Sequence, residues 1–171
     1  MGKGELKMTN KEFISASLKE TQKIGAKLGR YLKRILQEGN VKNLIIGLCG
    51  DLGGGKTTFI KGLATGLGLK KVITSPTFLL LKEYKIKDIY LYHFDFYRLK
   101  GAAQALEIGL KEYLKRPKSI SVIEWADKIE NILPSEKLMI DFAFIDQNKR
   151  KIIFKPMGKR YKELIRKMKT F

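Results

Sequence analysis

Residues 45–68 read IIGLCGDLGGGKTTFIKGLATGLG, and this stretch decides the fold. Gly50, four further residues and then Gly55-Lys56-Thr57 match the loop in which successive backbone N–H groups wrap phosphate oxygens. The loop needs glycine because it turns tightly and brings its backbone against an anion with no Cβ in the way. Gly50, Asp51, Leu52, Gly53, Gly54, Gly55, Lys56, Thr57 and Thr58 form the expected phosphate cradle. Lys56 is expected to reach the outer phosphates, and Thr57 to hold Mg²⁺ through its hydroxyl. The flanks agree. Residues 44–49 are an apolar run of strand length, and Phe59, Ile60, Leu63 and Leu67 recur at helical spacing, which gives the order strand, loop, helix.

Outward from the loop, Ser17-Leu18-Lys19-Glu20 has the form of a capping box. Ile24, Leu28, Tyr31, Leu32 and Ile35 then keep to one helical face, predicting a first helix that packs on a sheet and stops near Glu38-Gly39-Asn40. Residues 13–16 suggest a short edge strand before it. Residues 78–84 and 89–96 read as antiparallel strands about a turn at 85–88. In the second of these, the period of two puts Leu91, His93, Asp95 and Tyr97 on one face and Tyr90, Tyr92, Phe94 and Phe96 on the other. Residues 102–114 read as a helix and 120–125 as a short apolar strand ending in Glu124-Trp125. Residues 137–144 and 151–155 read as a closing hairpin, and the chain from Lys159 as a basic amphipathic helix turning Tyr161, Leu164, Ile165 and Met168 inward. No repeat, linker or low-complexity segment divides it. The expectation is one α/β P-loop domain over residues 1–171, with a mostly parallel central sheet, an antiparallel hairpin and helices on both faces.

The chain has 171 residues, 35 basic and 17 acidic, for a formal charge of +18. A field of that size attracts polyanions such as RNA, or serves as a solubility surface; the basic residues are spread along the chain and densest at its C-terminal end. The single cysteine, Cys49, has no internal disulfide partner and reads as a buried structural thiol. No apolar run approaches the length of a membrane span, and the opening MGKGELKMTN lacks the apolar centre of a signal peptide, so a cytoplasmic protein is expected.

A P-loop enzyme needs a second carboxylate near its Mg²⁺, at the C-terminal end of a neighbouring strand. Glu124 has that setting, with a solvent-facing strand-end glutamate as the alternative. Asp95 is the other candidate, or else a structural acid paired to Arg98. His93, the sole histidine, has no Cys or His neighbour at ligand spacing and reads as a polar strand residue near the site. Ser75-Pro76-Thr77 is either a plain turn or a segment that senses the γ-phosphate, and Trp125 reads as packing or function.

Four stretches together are more specific than the loop. Residues 50–59, then Ser75-Pro76-Thr77-Phe78, then His93-Phe94-Asp95-Phe96-Tyr97-Arg98-Leu99, then Glu124-Trp125-Ala126-Asp127 resemble the TsaE family, a bacterial ATPase family needed to make threonylcarbamoyladenosine in tRNA. The resemblance runs in order from about Ser17 to Arg150; it departs at Gly54, where Ala is common, and at Lys100-Gly101-Ala102-Ala103. It implies ATP or ADP as ligand with Mg²⁺, metal roles for Thr57 and Glu124, and catalytic roles for Lys56, Glu124 and the hydrolysis-linked Asp95. It implies a nucleotide-dependent switch and partner contact at Ser75, Pro76, Thr77 and Trp125. It also suggests an adenine end near Arg150 and Leu18-Lys19. It implies a TsaB–TsaD transferase pair as the partner that the ATPase binds and resets, with tRNA contact permitted by the charge. The competing expectations are a small P-loop kinase acting on a small-molecule acceptor, a GTPase, for which Asn148-Lys149-Arg150-Lys151 lacks the guanine-reading Asp, and a non-enzymatic nucleotide-binding module.

Overall fold

The computed structural model describes residues 10–39 and 41–168. Asn40, most of the opening decapeptide and the last three residues lie outside the described residues. The elements follow the chain as β1 (Lys11–Ser15), α1 (Leu18–Gln37), β2 (Asn43–Gly50), α2 (Lys56–Leu67), β3 (Leu81–Ile86), β4 (Ile89–Asp95), α3 (Ala102–Glu107), α4 (Leu110–Tyr113), β5 (Ser119–Glu124), a 3₁₀ segment (Ala126–Ile132), β6 (Lys137–Phe144), β7 (Arg150–Met157) and α5 (Lys159–Lys167).

All seven strands form one sheet in the order β1-β7-β6-β2-β5-β4-β3. The four middle strands, β6, β2, β5 and β4, are parallel, and antiparallel pairs extend the sheet at each side. Burial explains the arrangement. Strand β5 is buried along its whole length and β2 from Leu44 to Leu48, because both of their faces are covered, as in central parallel strands. One face is filled by α1, α2 and α5, whose Leu28, Leu32, Phe59, Leu63, Tyr161 and Leu164 share a core with Ile46, Leu48 and Phe154. The other is covered by α3, α4 and the 3₁₀ segment, packed on Tyr92, Phe94, Phe96 and Ile123. The alternation expected along β4 is present, with Leu91 facing the first core and Tyr92 and Phe94 the second.

Helix α1 shares the sheet-facing core, and its most intimate neighbour is α2. A Cβ built on Gly25 would lie 2.2 Å from Phe59 O, and one on Gly62 would lie 2.0 Å from Gln22 O. Gly29 and Gly66 meet the facing helix in the same way, so two pairs of glycines four residues apart let the backbones touch. The N-cap bond of the capping box is present, with Glu20 N donating to Ser17 Oγ at 3.2 Å, while Glu20 Oε2 reaches one residue further back and accepts from Ala16 N at 2.6 Å.

Three expectations need correction. The helix expected over 102–114 is broken into α3 and α4 by Gly109, whose φ of 78° no helix accommodates. Strand β3 begins at Leu81, not residue 78, because Leu79 N and Leu80 N both donate to Pro76 O and close a turn that leaves Phe78 and Leu79 exposed. Cys49 is half-buried where full burial is expected, and burial beside Asp127 and Asp141 pushes its thiol up to about 12.

Candidate functional site

Parallel strands end on the same side of a sheet, and the crevice outside their C-terminal ends is where α/β sheets of this kind bind ligands. Here β2 delivers Gly50, β4 delivers Asp95 and β5 delivers Glu124 to one edge. Asp95 stands directly opposite Glu124 in the β4–β5 register, and Glu124 opposite Leu48 in β5–β2. The Gly-rich loop connects β2 to α2 across this edge.

The loop backbone explains its composition. Gly50, Gly53 and Gly55 have φ of 132°, 75° and 102°, and a Cβ on Gly50 would also lie 2.4 Å from Phe142 O. Gly54 N donates to Asp51 O at 3.0 Å and Phe59 N to Gly55 O at 2.8 Å, closing the loop onto the first turn of α2. Lys56 is buried, and its ammonium donates to Gly50 O at 2.5 Å and Asp51 O at 2.8 Å. The same ammonium lies 4.0 Å from the centroid of the Trp125 ring. Burial lowers its pKa from the ordinary lysine value, against the opposing pull of Glu124, Asp95, Asp127 and Asp51.

Glu124 is only 3% exposed, so the solvent-facing alternative does not hold. Thr57 Oγ1 donates to its carboxylate, 3.1 Å from Oε1 and 3.0 Å from Oε2, and His93 Nε2 lies 2.7 Å from Oε1. Asp95 is also buried. Its Oδ2 accepts from Ser75 Oγ and Thr77 Oγ1, both at 2.6 Å, and its Oδ1 from Tyr97 N at 3.0 Å. The alternative pairing with Arg98 is not formed: the Arg98 guanidinium sits 4.2 Å over the ring of Phe78.

These groups line one cleft of about 370 Å³ with Leu18, Leu52, Gly53, Gly54, Gly55, Thr58, Tyr97 and Trp125. Gly50 and Asp51 lie behind it, holding Lys56 through their carbonyls. Pro76 shapes the turn that presents Ser75 and Thr77. Trp125 has a left-handed backbone (φ 62°) directly after Glu124, which turns its ring back over Lys56, where it meets Tyr97 at 5.2 Å between centroids. Arg150 is the outlier. Its guanidinium donates to the carbonyls of Asp146, Gln147 and Lys149 and stacks at 4.2 Å on Phe144, which itself neighbours Gly53, so it reaches the loop only through that ring.

The sequence reading missed two participants. The sequence places His93 near the site without a role, although its alternation with Asp95 puts both on one face of β4. Tyr97 carried no signal beyond its place in that stretch. The chemistry of the set is definite: a run of backbone N–H groups, a buried ammonium and a helix N-terminus suit an anion, while a hydroxyl and a carboxylate are hard oxygen donors suited to Mg²⁺. Among the described residues no three His, Cys, Asp or Glu side chains form a metal cage. A cation at Thr57 and Glu124 would therefore complete its shell with ligand oxygens and water.

Residues 15–152 match the family model described as threonylcarbamoyl adenosine biosynthesis protein TsaE. The tRNA threonylcarbamoyladenosine biosynthesis protein TsaE of Bacillus subtilis is 42% identical over 120 residues, covering 70% of this chain and 74% of that protein. The protein of the same name from Treponema pallidum is 37% identical over 139 residues, covering 81% and 96%. The crystal structure of Bacillus subtilis YdiB superposes with a TM-score of 0.74 at 32% identity over 94% of each chain. No helix among the described residues is long and apolar enough to cross a membrane. With a family model matching most of its length and relatives of this similarity, the chain belongs to the TsaE family of threonylcarbamoyladenosine biosynthesis proteins.

Proposed function

We propose that the protein is a cytoplasmic Mg²⁺-dependent ATPase that supports threonylcarbamoyladenosine modification of tRNA by binding a TsaB–TsaD transferase pair and resetting it between rounds. The observation behind this reading is the meeting of Thr57, Glu124 and Asp95 at the mouth of the glycine loop, each carboxylate buried and hydrogen-bonded.

The loop amides and Lys56 hold the phosphates of ATP, and Lys56 exchanges its two backbone carbonyls for phosphate oxygens. Thr57 and Glu124 would hold Mg²⁺, which supplies charge neutralisation at the β- and γ-phosphates when bound. His93 and Thr57 keep the Glu124 carboxylate in one orientation. Asp95, fixed at both oxygens by Ser75, Thr77 and Tyr97 N, orients the attacking water or a water on the metal. Release of its Oδ2 by Ser75 and Thr77 links the state of the phosphate to the segment over residues 75–80. That segment exposes Phe78 (81%) and Leu79 (69%), an apolar surface for the partner. Lone turnover is slow if partner contact completes the site.

The test is multiple-turnover threonylcarbamoylation of tRNA by TsaB–TsaD with ATP and Mg²⁺, with and without this chain. Product that stops near one round without the chain and continues with it supports the reading. Unchanged product alongside ATP hydrolysis overturns it and brings forward the small-molecule kinase.

A further inference from the structure

At the end of the sheet opposite the cleft lies a second cavity, of about 430 Å³. Strand β4 begins at this end with Ile89 and finishes in the cleft with Asp95, and α2 runs from the glycine loop towards it. Five lysines line it: Lys33 from α1, Lys70 and Lys71 from the loop after α2, and Lys85 and Lys87 from the end of the β3–β4 hairpin. Its one acid, Glu83, is engaged elsewhere, accepting from Tyr113 Oη at 2.8 Å and lying 3.9 Å from Arg116. Asp88, at the hairpin tip, pairs with Lys118 at 3.2 Å. Among the described residues no ion pair joins any of the five lysines to a carboxylate.

Two features argue against an ordinary solvated surface. Lys87 is the first residue of a two-residue hairpin loop and has a φ of 56°, a position that favours Gly, Asn or Asp. A lysine thus stands at a strained backbone position. In addition, five lysines from three separate elements line one concavity, with the Lys85 ammonium reaching out over the Tyr90 ring at 5.8 Å, and in a protein of +18 this gathers positive charge at one place.

We propose that this lysine pocket binds the phosphodiester backbone of RNA. A concave site with cations on three sides fits a ridge of phosphates, whereas a bilayer meets a flat or convex face. The choice of RNA among polyanions rests on the tRNA-modification reading above. Its placement leaves the nucleotide cleft free, since the two lie at opposite ends of β4. Contacts of this kind position an RNA without reading its bases.

The experiment is a titration of labelled tRNA with the full chain at several salt concentrations, without ATP or transferase. The K70E/K71E/K85E/K87E variant is compared with K23E/K61E/K111E/K115E, which makes the same charge change at exposed lysines on other faces. Wild type is expected to bind at low salt with a slope of about −0.7 to −0.9 in log K against log salt for each phosphate contacted. The pocket variant should bind about tenfold or more weakly with a slope shallower by about 3, and the control should stay within about threefold of wild type. The corresponding four Lys→Gln changes should give the same loss in smaller measure, and they replace the Glu variant if its circular dichroism shows misfolding. Equal losses in the two Glu variants would mean net charge alone and overturn the proposal. So would no binding by wild type, or a pocket-variant loss that appears only when phosphatidylserine vesicles are titrated in place of tRNA. If pocket-dependent tRNA binding stands while the transferase assay shows no support, the modification reading falls and the pocket remains.

Discussion

Glu124 Oε1 and His93 Nε2 lie 2.7 Å apart in a fully buried contact between adjacent parallel strands, with Val122 as the register partner of His93. A carboxylate only accepts, so Nε2 carries the proton. Among the described residues the other ring nitrogen, Nδ1, is buried with no hydrogen-bond partner, so the ring is held through Nε2 alone. The imidazole therefore fixes the carboxylate in place and leaves the Thr57 side of it for a cation.

It follows that His93 matters through the metal more than through the nucleotide. His93→Ala should weaken Mg²⁺-dependent ADP binding by about tenfold or more, as loss of a ligand's supporting hydrogen bond does, while Mg²⁺-free ADP affinity changes far less. His93→Gln, whose amide can reach the same oxygen, should recover part of the difference. Calorimetric titrations with Mg²⁺ and with EDTA separate the two terms; equal losses in both would mean that His93 only fills space.

Asp95 is bonded at both oxygens by residues of its own neighbourhood. Asp95→Asn preserves its shape and its acceptor oxygen, yet removes the charge proposed to orient water. ATP hydrolysis should fall by about 10²-fold or more, with nucleotide affinity little changed. Ser75→Ala and Thr77→Ala, which each remove one holder and leave the carboxylate, should cost less. A steady-state phosphate-release assay beside a fluorescent-nucleotide binding curve checks both halves of this expectation.

Trp125 is the only tryptophan, and the Lys56 ammonium lies against its ring. Phosphate oxygens that draw the ammonium away from the carbonyls of Gly50 and Asp51 also change what the indole touches. Tryptophan emission should shift saturably as ADP and Mg²⁺ are added. The signal should be lost in Lys56→Ala at the same ADP concentration, and its survival there with ADP still bound would detach the reporter from the stack.

Much of this was legible in the sequence because local chemistry decided it. The glycine loop, the capping box and the alternation along β4 each depend on residues within a few positions, and the strands around them appear close to where their apolar runs put them. What escaped depended on distant partners. The α1–α2 contact was written as Gly25/Gly29 and Gly62/Gly66, but neither pair means close approach until the other helix is known to face it. The break at Gly109 lost to the apolar spacing of Leu106, Leu110 and Leu114. His93 could be placed on the site-facing side of β4, but its bond to Glu124 depends on β4 and β5 being neighbours, which local patterns do not state.

The thiol of Cys49 should be inert in the folded protein. Its pKa is pushed up to about 12, chiefly by burial and then by Asp127 and Asp141. A raised thiol pKa favours the folded state below the unfolded value of about 8.5. This contribution is lost as pH climbs from there through about 12, because the unfolded chain ionises first. Iodoacetamide at pH 8.5 should label Cys49 rapidly in denaturant and slowly in the native protein, with mass spectrometry as the readout. Rapid native labelling would contradict the burial.

Helix α5 begins after the stretch that the family model matches, yet it belongs to the core. Tyr161 is fully buried, and its hydroxyl accepts from Ile45 N at 2.7 Å. Ile45 precedes the first residue of β2 that pairs with β6, so the tyrosine takes the place of a missing strand neighbour. Leu164, Ile165 and Met168 then seal the core beside it. Tyr161→Phe keeps the ring and strands one buried N–H, which should cost about 1–3 kcal/mol. Tyr161→Ala adds a cavity and should cost about 3–5 kcal/mol. Urea unfolding followed by circular dichroism measures both. A Phe variant as stable as wild type would show that water satisfies Ile45, and a stable Ala variant would reduce α5 to a passive tail.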